Sequence, residues 1–392
     1  APTGYSIHRS TKDSESALER KNVVFVLIES FSGSFLKEFG NKENITPFMD
    51  SLAQKSIFFN NLYATGTRTV RGMEAVTLCI PPTPGQSIVK RPDNQNLFTV
   101  SNVFKSKSYD CNFFYGGDGY FDNMNSYFGG NGFTIYDRGR GSVLSDKIKT
   151  VRHNISDNEV TFENAWGICD EDIFNKMLSV ADRQHKEGKP FFNFVMTTSN
   201  HRPFTYPSGK IDIPSGTSRE GAVKYTDYAL KQLFAKARTK PWYKNTVFIV
   251  IADHCASSAG KDEIDVANYH IPAFIVNMPE GYNQKIQKQC SQIDLWPTVF
   301  SLFNWHYESD FFGKDVLAAD FEQRAFLGTY RKLVLMKKEK VMILSDQKKQ
   351  AFYSWNRSDN SLTKIPMDKT FLKETVAWYQ SADYLFTNKL LK

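Results

Sequence analysis

The 392-residue chain is 41% hydrophobic and 14% aromatic, a composition that excludes a mainly disordered protein and allows a large buried core. Its net charge of +7 favours an anionic partner, such as a membrane surface or a phosphate-bearing substrate. We expect no nucleic-acid partner, because the sequence contains no zinc-finger spacing, no RNA-recognition motif and no basic block with interleaved aromatic residues.

The start of the chain is polar and contains no signal-like apolar core, so we interpret residues 1–20 as a linker or the cut end of a membrane anchor. No apolar run approaches the ~18 residues that a membrane span requires, which predicts that the rest of the chain is a soluble domain. The five cysteines contain no CxxC pair. This excludes a metal knuckle and a dense disulfide scaffold, but allows one or two bridges.

From residue 21 onwards, short apolar runs alternate with segments of helical spacing. Strands are predicted at residues 23–28, 57–65, 109–117, 191–196, 247–252 and 271–279. Helices are predicted at residues 45–56, 70–80, 96–107, 167–189, 218–240 and 291–303. This alternation predicts an α/β fold with a mostly parallel central sheet and helices on both faces.

The pattern changes near residue 321. Residues 324–356 read as short alternating strands joined by charged turns, which is typical of an antiparallel meander, and residues 371–391 read as an amphipathic helix. We therefore predict a main domain at residues 21–320 and a small C-terminal antiparallel subdomain at residues 321–392.

Three of the predicted strands deliver ionisable residues at their ends. Glu29 follows the first strand, Asp253 and His254 follow "VFIVIA", and His201 follows residues 191–196 after a short polar turn. Because the carboxyl ends of parallel strands meet at one edge of a sheet, these residues predict one shared site rather than three isolated polar strand ends. Two carboxylates and an imidazole are suitable ligands for a divalent cation.

The loop "LYATGTRTVRGME" is the best source of a nucleophile. Its glycines bracket a hydroxyl-rich segment just before a predicted helix, where backbone N–H groups can face an anion. A threonine hydroxyl is a weak nucleophile, but a divalent cation lowers its pKa. On chemistry alone Thr65, Thr67 and Thr69 remain alternatives, and each of them can instead be a turn or N-cap residue.

Six short motifs, "VLIES", "GTRT", "SNHRPF", "ADHCASSAG", "YHIP" and "QIDLWPT", occur in this order. Together they resemble the sulfatase-like branch of the alkaline phosphatase superfamily, in particular phosphoglycerol transferases of the lipoteichoic acid synthase type. The resemblance covers roughly residues 21–317 and implies that residues 21–320 form a sulfatase-like catalytic domain.

The resemblance also implies a cofactor and a nucleophile. One divalent metal ion, most often Mn or Mg and alternatively Zn, is expected to be held by Glu29, Thr69, Asp253 and His254. In the family the nucleophile is the threonine after a basic residue in this loop, which selects Thr69, with Arg68 expected to contact substrate.

Two histidines are expected near the substrate by the same resemblance. His201, which precedes "RPF", is expected to contact the substrate or to protonate the leaving oxygen. His270 either lines the same cleft or caps the start of a buried strand.

The implied reaction is transfer of a phosphoglycerol-type head group from an anionic phospholipid to a glycan or lipid hydroxyl, through a phospho-threonine intermediate. The implied location is the outer face of the bacterial cytoplasmic membrane, facing the periplasm or the exterior, as the soluble ectodomain of a membrane-anchored protein. The alternatives are a metal-dependent phosphodiesterase or phosphatase, a phosphoethanolamine transferase, and a catalytically inactive sulfatase-like binding module.

Two stretches depart from related patterns. The family's aromatic and basic pair for gripping glycerol phosphate has no clear counterpart in "GGDGYFDNMN". The stretch "CIPPT" resembles the signature in which a cysteine becomes formylglycine, but Thr83 stands where that signature requires an arginine. We therefore predict that Cys79 is not a formylglycine precursor.

Overall fold

A mixed sheet of ten strands forms the centre of the part of the chain that the computed structural model describes, which comprises residues 7–11, 21–139, 150–257 and 264–392. In chain order the described strands are β1 (Arg9–Ser10), β2 (Asn22–Ile28), β3 (Ile57–Tyr63), β4 (Asp110–Tyr115), β5 (Thr134–Asp137), β6 (Arg152–Asn154), β7 (Glu163–Asn164), β8 (Gly167–Ile168), β9 (Phe191–Met196), β10 (Thr246–Ala252), β11 (His270–Val276), β12 (Gln284–Ile286), β13 (Cys290–Ser291), β14 (Glu308–Ser309), β15 (Ala325–Gly328), β16 (Lys332–Lys337), β17 (Lys340–Ser345), β18 (Gln350–Asn356) and β19 (Ser361–Lys364).

Helices flank the sheet along the same segments. The described α-helices are α1 (Pro47–Leu52), α2 (Thr69–Leu78), α3 (Val100–Ser106), α4 (Met124–Gly130), α5 (Asp170–Lys186), α6 (Arg219–Ala237), α7 (Leu295–Leu302) and α8 (Lys369–Thr387). Short 3-10 turns occupy Gly33–Phe35, Lys37–Phe39, Ile88–Lys90, Phe121–Asn123, Asp157–Glu159, Tyr243–Asn245, Val266–Tyr269, Gln292–Asp294 and Asp346–Lys348.

The strand order of the central sheet is β12-β3-β11-β10-β2-β9-β4-β5-β6, and β13 also pairs with β3. The run from β10 to β6 is parallel throughout, whereas β11 is antiparallel to both β10 and β3. The predicted α/β fold with a mostly parallel sheet is confirmed. The orientation of β11 follows from its connection, because the described part of the chain between β10 and β11 contains a 3-10 turn and no crossover α-helix.

Apolar packing on the sheet explains why its central strands have almost no polar residues. Every residue of β2, β9 and β10 is buried. On one side, Trp296 of α7 packs with ring centroids 5.1 Å from Phe25 and 5.1 Å from Phe192, and Phe104 of α3 stacks on Phe192 at 4.1 Å. Further along the sheet, α5 packs against β9, β4 and α6.

The C-terminal segment forms a five-stranded antiparallel sheet in the order β15-β16-β17-β18-β19, within the described residues, and α8 packs on β16 and β17. This confirms the predicted antiparallel meander and closing helix, with β19 as an additional strand. Phe326, Leu335 and Met342 of this sheet belong to the buried cluster of the central sheet. Its other face, with residues such as Val334 and Ile343, belongs to a second buried cluster that includes Tyr63 of β3. Arg324, just before β15, forms a bidentate ion pair with Asp294. Its Nη1 donates to Asp294 Oδ2 at 2.8 Å and its Nη2 donates to Oδ1 at 2.7 Å, and both side chains are buried.

The predicted linker at residues 1–20 lies mostly outside the described residues; within 7–11, β1 pairs antiparallel with β14. All five cysteines are free and buried, so the bridges that the sequence allows are not formed. Across the described ranges, we find no helix with both the length and the apolar character needed to cross a membrane.

Candidate active site

Two neighbouring parallel strands, β2 and β10, end side by side and present their next residues to one point. Ile28 pairs with Ala252 at the ends of these strands, so Glu29 and Asp253 emerge at the same level, followed by His254. All three side chains are buried, and ligand atoms from Glu29, Asp253 and His254 all lie within 4.8 Å of one another. The structure therefore brings together three of the residues that the sequence singles out.

Of the two carboxylate oxygens of Asp253, backbone hydrogen bonds hold only Oδ1. Its Oδ1 accepts hydrogen bonds from the backbone N–H groups of Ser30 (2.8 Å) and His254 (2.6 Å). Its Oδ2 is buried and has no hydrogen-bond partner among the described residues. Burial and the nearby charge of Glu29 raise the pKa of Asp253 well above its usual range. A buried, unpartnered carboxylate oxygen of this kind suits a cation ligand.

The His254 ring is oriented to offer a lone pair to the same point. Its Nδ1 lies 2.7 Å from the carbonyl oxygen of Cys255 and therefore carries the proton in the neutral ring, because a carbonyl only accepts. Its Nε2 faces Asp253 Oδ2 at 3.4 Å and Glu29 Oε1 at 3.7 Å. Burial lowers the pKa of His254, which favours this neutral form. A lone pair that faces two carboxylates is unfavourable unless a proton or a cation lies between them, and a set of two carboxylates and an imidazole nitrogen fits a divalent metal ion.

Thr69 joins this cluster from the first residue of α2. Its Oγ1 donates a hydrogen bond to Glu29 Oε2 at 3.1 Å, and the side chain is only half-buried. The helix reaches the end of β10 because Gly72 has no side chain: a Cβ at that position would lie 2.4 Å from the carbonyl oxygen of Asp253. The glycine thus sets the distance between the threonine and the carboxylates.

The other two candidate threonines lie before the helix. Thr65 is buried; its hydroxyl lies 3.3 Å from the carbonyl oxygen of Arg71, and its N–H donates to Gln292 Oε1 at 2.9 Å. Gln292 also donates from Nε2 to the carbonyl oxygens of Ala252 and Asp253 at 2.9 and 2.8 Å. Of Thr65, Thr67 and Thr69, the last is the one whose hydroxyl contacts the acidic cluster.

His201 lies on the other side of a narrow cleft that opens onto Glu29 and Thr69. Its ring stacks on Trp166 with ring centroids 3.5 Å apart, and Phe121 forms the edge of the same cleft. His201 Nδ1 is buried and has no hydrogen-bond partner in the described part of the chain. The ring is therefore held by stacking, and one of its nitrogens has no partner in the described part of the chain.

His270 and Arg68 have different surroundings. His270 Nε2 lies 2.9 Å from the carbonyl oxygen of Asn60, and its ring packs edge-on against Phe39 at 4.5 Å. These contacts favour a histidine at the start of a buried strand, and a role of His270 at the substrate stays a prediction.

Arg68 precedes α2, is exposed, and its charge acts on the pKa of His254, lowering it. It therefore lies within electrostatic range of the cluster.

Cys79 lies far from this cluster. It follows the last residue of α2, whereas Thr69 is the first, so a helix of ten residues, or about 15 Å, separates them. The Cys79 thiol is fully buried, and burial raises its pKa. These positions agree with the prediction that Cys79 is not a formylglycine precursor.

The "GGDGYFDNMN" stretch forms the outer edge of the cleft. Asp118 pairs with Arg152 at 3.1 Å and Asp122 pairs with Lys90 at 2.7 Å, so acidic residues occupy this edge and are neutralised from neighbouring segments. Tyr120 is 67% exposed, beside the cleft residue Phe121. An aromatic side chain is thus available here, but this stretch contributes no cation of its own.

Sequence reasoning missed two polar residues that support the cluster. Gln292, described above, ties the end of β10 to the loop before α2. Asn200 donates from Nδ2 to the carbonyl oxygens of Glu29 (3.0 Å) and Ser30 (2.8 Å), and its buried Oδ1 has no partner among the described residues. Both residues lie within the motifs quoted above, but an amide side chain carries no spacing signal of its own.

The mostly parallel sheet, with a hydroxyl, two carboxylates and an imidazole gathered at its strand ends, resembles the alkaline phosphatase superfamily in its architecture. A structure of a protein in that superfamily from Vibrio parahaemolyticus superposes with a TM-score of 0.88 and 32% sequence identity, covering 99% of this chain and 92% of that one. The sulfatase family model matches residues 21–305. The chain belongs to the sulfatase family of enzymes.

Within this family, the chain is similar to curated proteins named as lipoteichoic acid synthase-like and as phosphoglycerol transferases. The chain is 26% identical over 331 residues to the lipoteichoic acid synthase-like protein YvgJ of Bacillus subtilis, covering 76% of this chain and 50% of that protein. It is 22% identical over 319 residues to phosphoglycerol transferase I of Xanthomonas axonopodis, covering 77% of this chain and 43% of that protein. The chain thus spans about half the length of the curated relatives it matches.

Proposed function

We propose that this protein is a metal-dependent transferase that moves a phosphoglycerol-type head group to an acceptor hydroxyl through a phospho-threonine intermediate on Thr69. One observation carries the proposal: the Thr69 hydroxyl lies 3.1 Å from Glu29, inside the buried cluster that Asp253 and His254 complete. The printed names of the relatives, a lipoteichoic acid synthase-like protein and a phosphoglycerol transferase, support the group that is transferred.

Glu29, Asp253, His254 and Thr69 would hold one divalent ion, with Mn or Mg first and Zn as an alternative. Two carboxylates and a hydroxyl suit the harder ions, whereas the imidazole nitrogen is also compatible with Zn. When bound, such an ion supplies Lewis-acid stabilisation of the negative charge on the phosphate oxygens and on the deprotonated hydroxyl.

In the first half of the reaction, Thr69 Oγ1 forms a bond to the phosphorus of the donor while the bond from phosphorus to the leaving oxygen breaks. The hydroxyl proton passes to Glu29 Oε2, to which it is already hydrogen-bonded. His201 gives a proton to the leaving oxygen. In the second half, the acceptor hydroxyl attacks the phosphorus and loses its proton to His201, while the bond from phosphorus to Thr69 Oγ1 breaks. The proton held by Glu29 returns to Thr69 Oγ1, which restores the starting state.

The surroundings of the cleft support an anionic donor. Arg68 lies next to Thr69 and within electrostatic range of His254, where its charge can balance a phosphate. The net charge of +7 would hold the domain near an anionic membrane surface. We therefore propose an anionic phospholipid head group as donor, a glycan or lipid hydroxyl as acceptor, and action at the outer face of the bacterial cytoplasmic membrane.

The test is to incubate the wild-type protein, Thr69→Ser and Thr69→Ala with Mn²⁺ and phosphatidylglycerol in mixed micelles, and to follow the release of diacylglycerol. Thr69→Ala is expected to lose turnover by ~10³-fold or more, because the nucleophile is removed, and Thr69→Ser to retain part of it. A rapid acid quench followed by mass spectrometry is expected to find a phosphoglycerol adduct on the peptide that contains Thr69.

The products separate the alternatives. Free glycerol phosphate without an adduct on added glycan or glycolipid would indicate a phosphodiesterase, and turnover of phosphatidylethanolamine in preference would indicate a phosphoethanolamine transferase. Full activity of Thr69→Ala would refute the nucleophile assignment. If elemental analysis finds no divalent metal in protein purified without chelators, and added Mn²⁺ produces no turnover, the protein is an inactive binding module.

A further inference from the structure

Two aromatic side chains are exposed side by side at the mouth of the catalytic cleft. Tyr120 is 67% exposed and Phe121 is 47% exposed, whereas every other phenylalanine in the described ranges is buried or half-buried. Phe121 also lines the cleft, so its ring reaches from the cleft wall to the protein surface. Single exposed apolar residues are common, but two adjacent aromatic rings beside a site favour a contact surface for a partner.

The turn that carries these two rings is held by hydrogen bonds on both of its sides. Before the rings, the N–H of Gly119 donates to Oδ2 of the buried Asp137 at 2.7 Å. After them, Asn123 donates from Nδ2 to the carbonyl oxygen of Val89 at 3.0 Å. The exposure of the rings is therefore a feature of an anchored turn, which favours a preformed contact surface over a loosely packed loop.

The charges around the turn are compatible with an anionic surface. The two carboxylates of the turn, Asp118 and Asp122, are neutralised by the ion pairs with Arg152 and Lys90. Arg68, which precedes the cleft-lining threonine, is exposed and adds a positive charge at the rim. The rim therefore combines exposed aromatic rings with positive charge, a pairing that suits the surface of a bilayer containing anionic lipids.

The lining of the cleft is mixed in the same way as a phospholipid. Its polar part includes Glu29, Thr69 and His201, and its apolar part consists of Tyr115, Phe121, Met124, Trp166 and Met196. Phe121 packs edge-on against Trp166 with ring centroids 5.6 Å apart, which joins the exposed turn to the apolar lining. This continuity from cleft to surface matches an amphiphile whose head group reacts while its acyl chains stay in the bilayer.

We propose that the turn at residues 118–123 is a membrane contact, in which Tyr120 and Phe121 enter the interfacial region of a phospholipid bilayer and bring the cleft over the lipid head groups. A tyrosine suits this depth, because its ring is apolar and its hydroxyl can remain hydrated. Two side chains bury little area, so the contact is weak and reversible. The inference rests on the proposed transfer function and specifies that the donor is taken directly from the bilayer.

The first test is sedimentation of the full chain, with Mn²⁺, together with vesicles made of equal parts of phosphatidylglycerol and phosphatidylcholine. The wild-type protein is expected to sediment with the vesicles. Tyr120→Ser is expected to lower the partition coefficient ~10-fold, because it removes the more exposed of the two rings. Equal partitioning of the two proteins would overturn the proposal.

Tyr330→Ser is the matched control, because Tyr330 is 70% exposed in the turn between β15 and β16 and does not line the cleft. It is expected to partition like the wild type, and a loss as large as that of Tyr120→Ser would overturn the proposal. Tyr120→Trp is expected to retain binding, and brominated acyl chains are expected to quench the added indole fluorescence. An added indole that vesicles with brominated chains leave unquenched would contradict insertion of this turn.

Turnover separates the membrane contact from the transfer function. On long-chain phosphatidylglycerol in vesicles at low lipid concentration, Tyr120→Ser is expected to act ~10-fold more slowly than the wild type. On dihexanoyl phosphatidylglycerol dissolved as monomers, the two proteins are expected to have equal rates. Equal rates on both donors would overturn the membrane contact and leave the proposed transfer intact. Vesicle binding that depends on Tyr120, together with no turnover of either donor, would support the contact and overturn the proposed transfer.

Discussion

Replacing Gly72 by alanine tests whether the spacing between α2 and β10 sets catalysis. A Cβ at Gly72 would lie 2.4 Å from the carbonyl oxygen of Asp253 and 2.8 Å from its Cα, and both are backbone atoms that cannot rotate away. Restoring an ordinary contact of 3.4 Å requires α2 to move by about 1 Å. Because Thr69 begins this helix, its hydroxyl would move relative to Glu29 and Asp253.

A displacement of about 1 Å at a reacting group typically lowers the rate ~10²-fold. The fold should lose less, because overpacking costs ~1–3 kcal/mol while alanine gains about 1 kcal/mol of helix propensity over glycine. We therefore expect Gly72→Ala to lower kcat about 100-fold at saturating Mn²⁺ while remaining folded. The measurements are release of diacylglycerol from phosphatidylglycerol and unfolding in urea.

Gly188→Ala is the control for a general loss of stability. Gly188 has a φ of +68° and open space around its Cα, so alanine there strains the backbone without touching the cluster. It should reduce the free energy of unfolding by ~1 kcal/mol and leave kcat unchanged. A Gly72→Ala protein with wild-type kcat would refute the idea that the close approach of α2 positions Thr69.

Two further predictions concern the metal cluster and Cys79. In the presence of chelator we expect Asp253→Asn to be at least as stable as the wild type, because burial disfavours the second carboxylate when no cation is bound. Mn²⁺ at about 100 times its Kd should stabilise the wild type by ~2.7 kcal/mol and the variant much less. Equal stabilisation of the two proteins by Mn²⁺ in thermal unfolding would contradict this. For Cys79→Ala we expect turnover within about twofold of the wild type, because Cys79 lies at the far end of α2 from Thr69. We expect the free energy of unfolding to fall by roughly 1 kcal/mol, because the thiol is buried. A tenfold loss of kcat would contradict this.

The central strands can be predicted from the sequence alone, because strands that are buried on both faces are apolar along their whole length. β2, β9 and β10 read as unbroken apolar runs, and the helices between them have clear periodicity. Strands of two to four residues, such as β5 and β12, carry no such signal and were missed. The direction of β11 was not predicted either, since an apolar run has the same pattern in both orientations.

The sequence pattern predicts the strand-end residues of the candidate site, but it does not select the threonine that lies beside them. The positions of Glu29, Asp253 and His254 follow from strand ends, which sequence patterns locate well. The choice among the three threonines depends on which hydroxyl points towards Glu29, and that depends on the approach that Gly72 permits.

The buried ion pair between Arg324 and Asp294 makes the predicted catalytic domain depend on a residue beyond its own boundary. Asp294 lies within residues 21–320 and its counter-charge comes from Arg324, so a folded fragment that ends at residue 320 would hold a buried carboxylate without its cation, a change that typically costs ~3–5 kcal/mol. The terminal meander and α8 also contribute to the interior that supports the central sheet. A fragment of residues 21–320 is therefore expected to unfold at a lower denaturant concentration than the whole chain, because it lacks both the Arg324 guanidinium and part of the shared core.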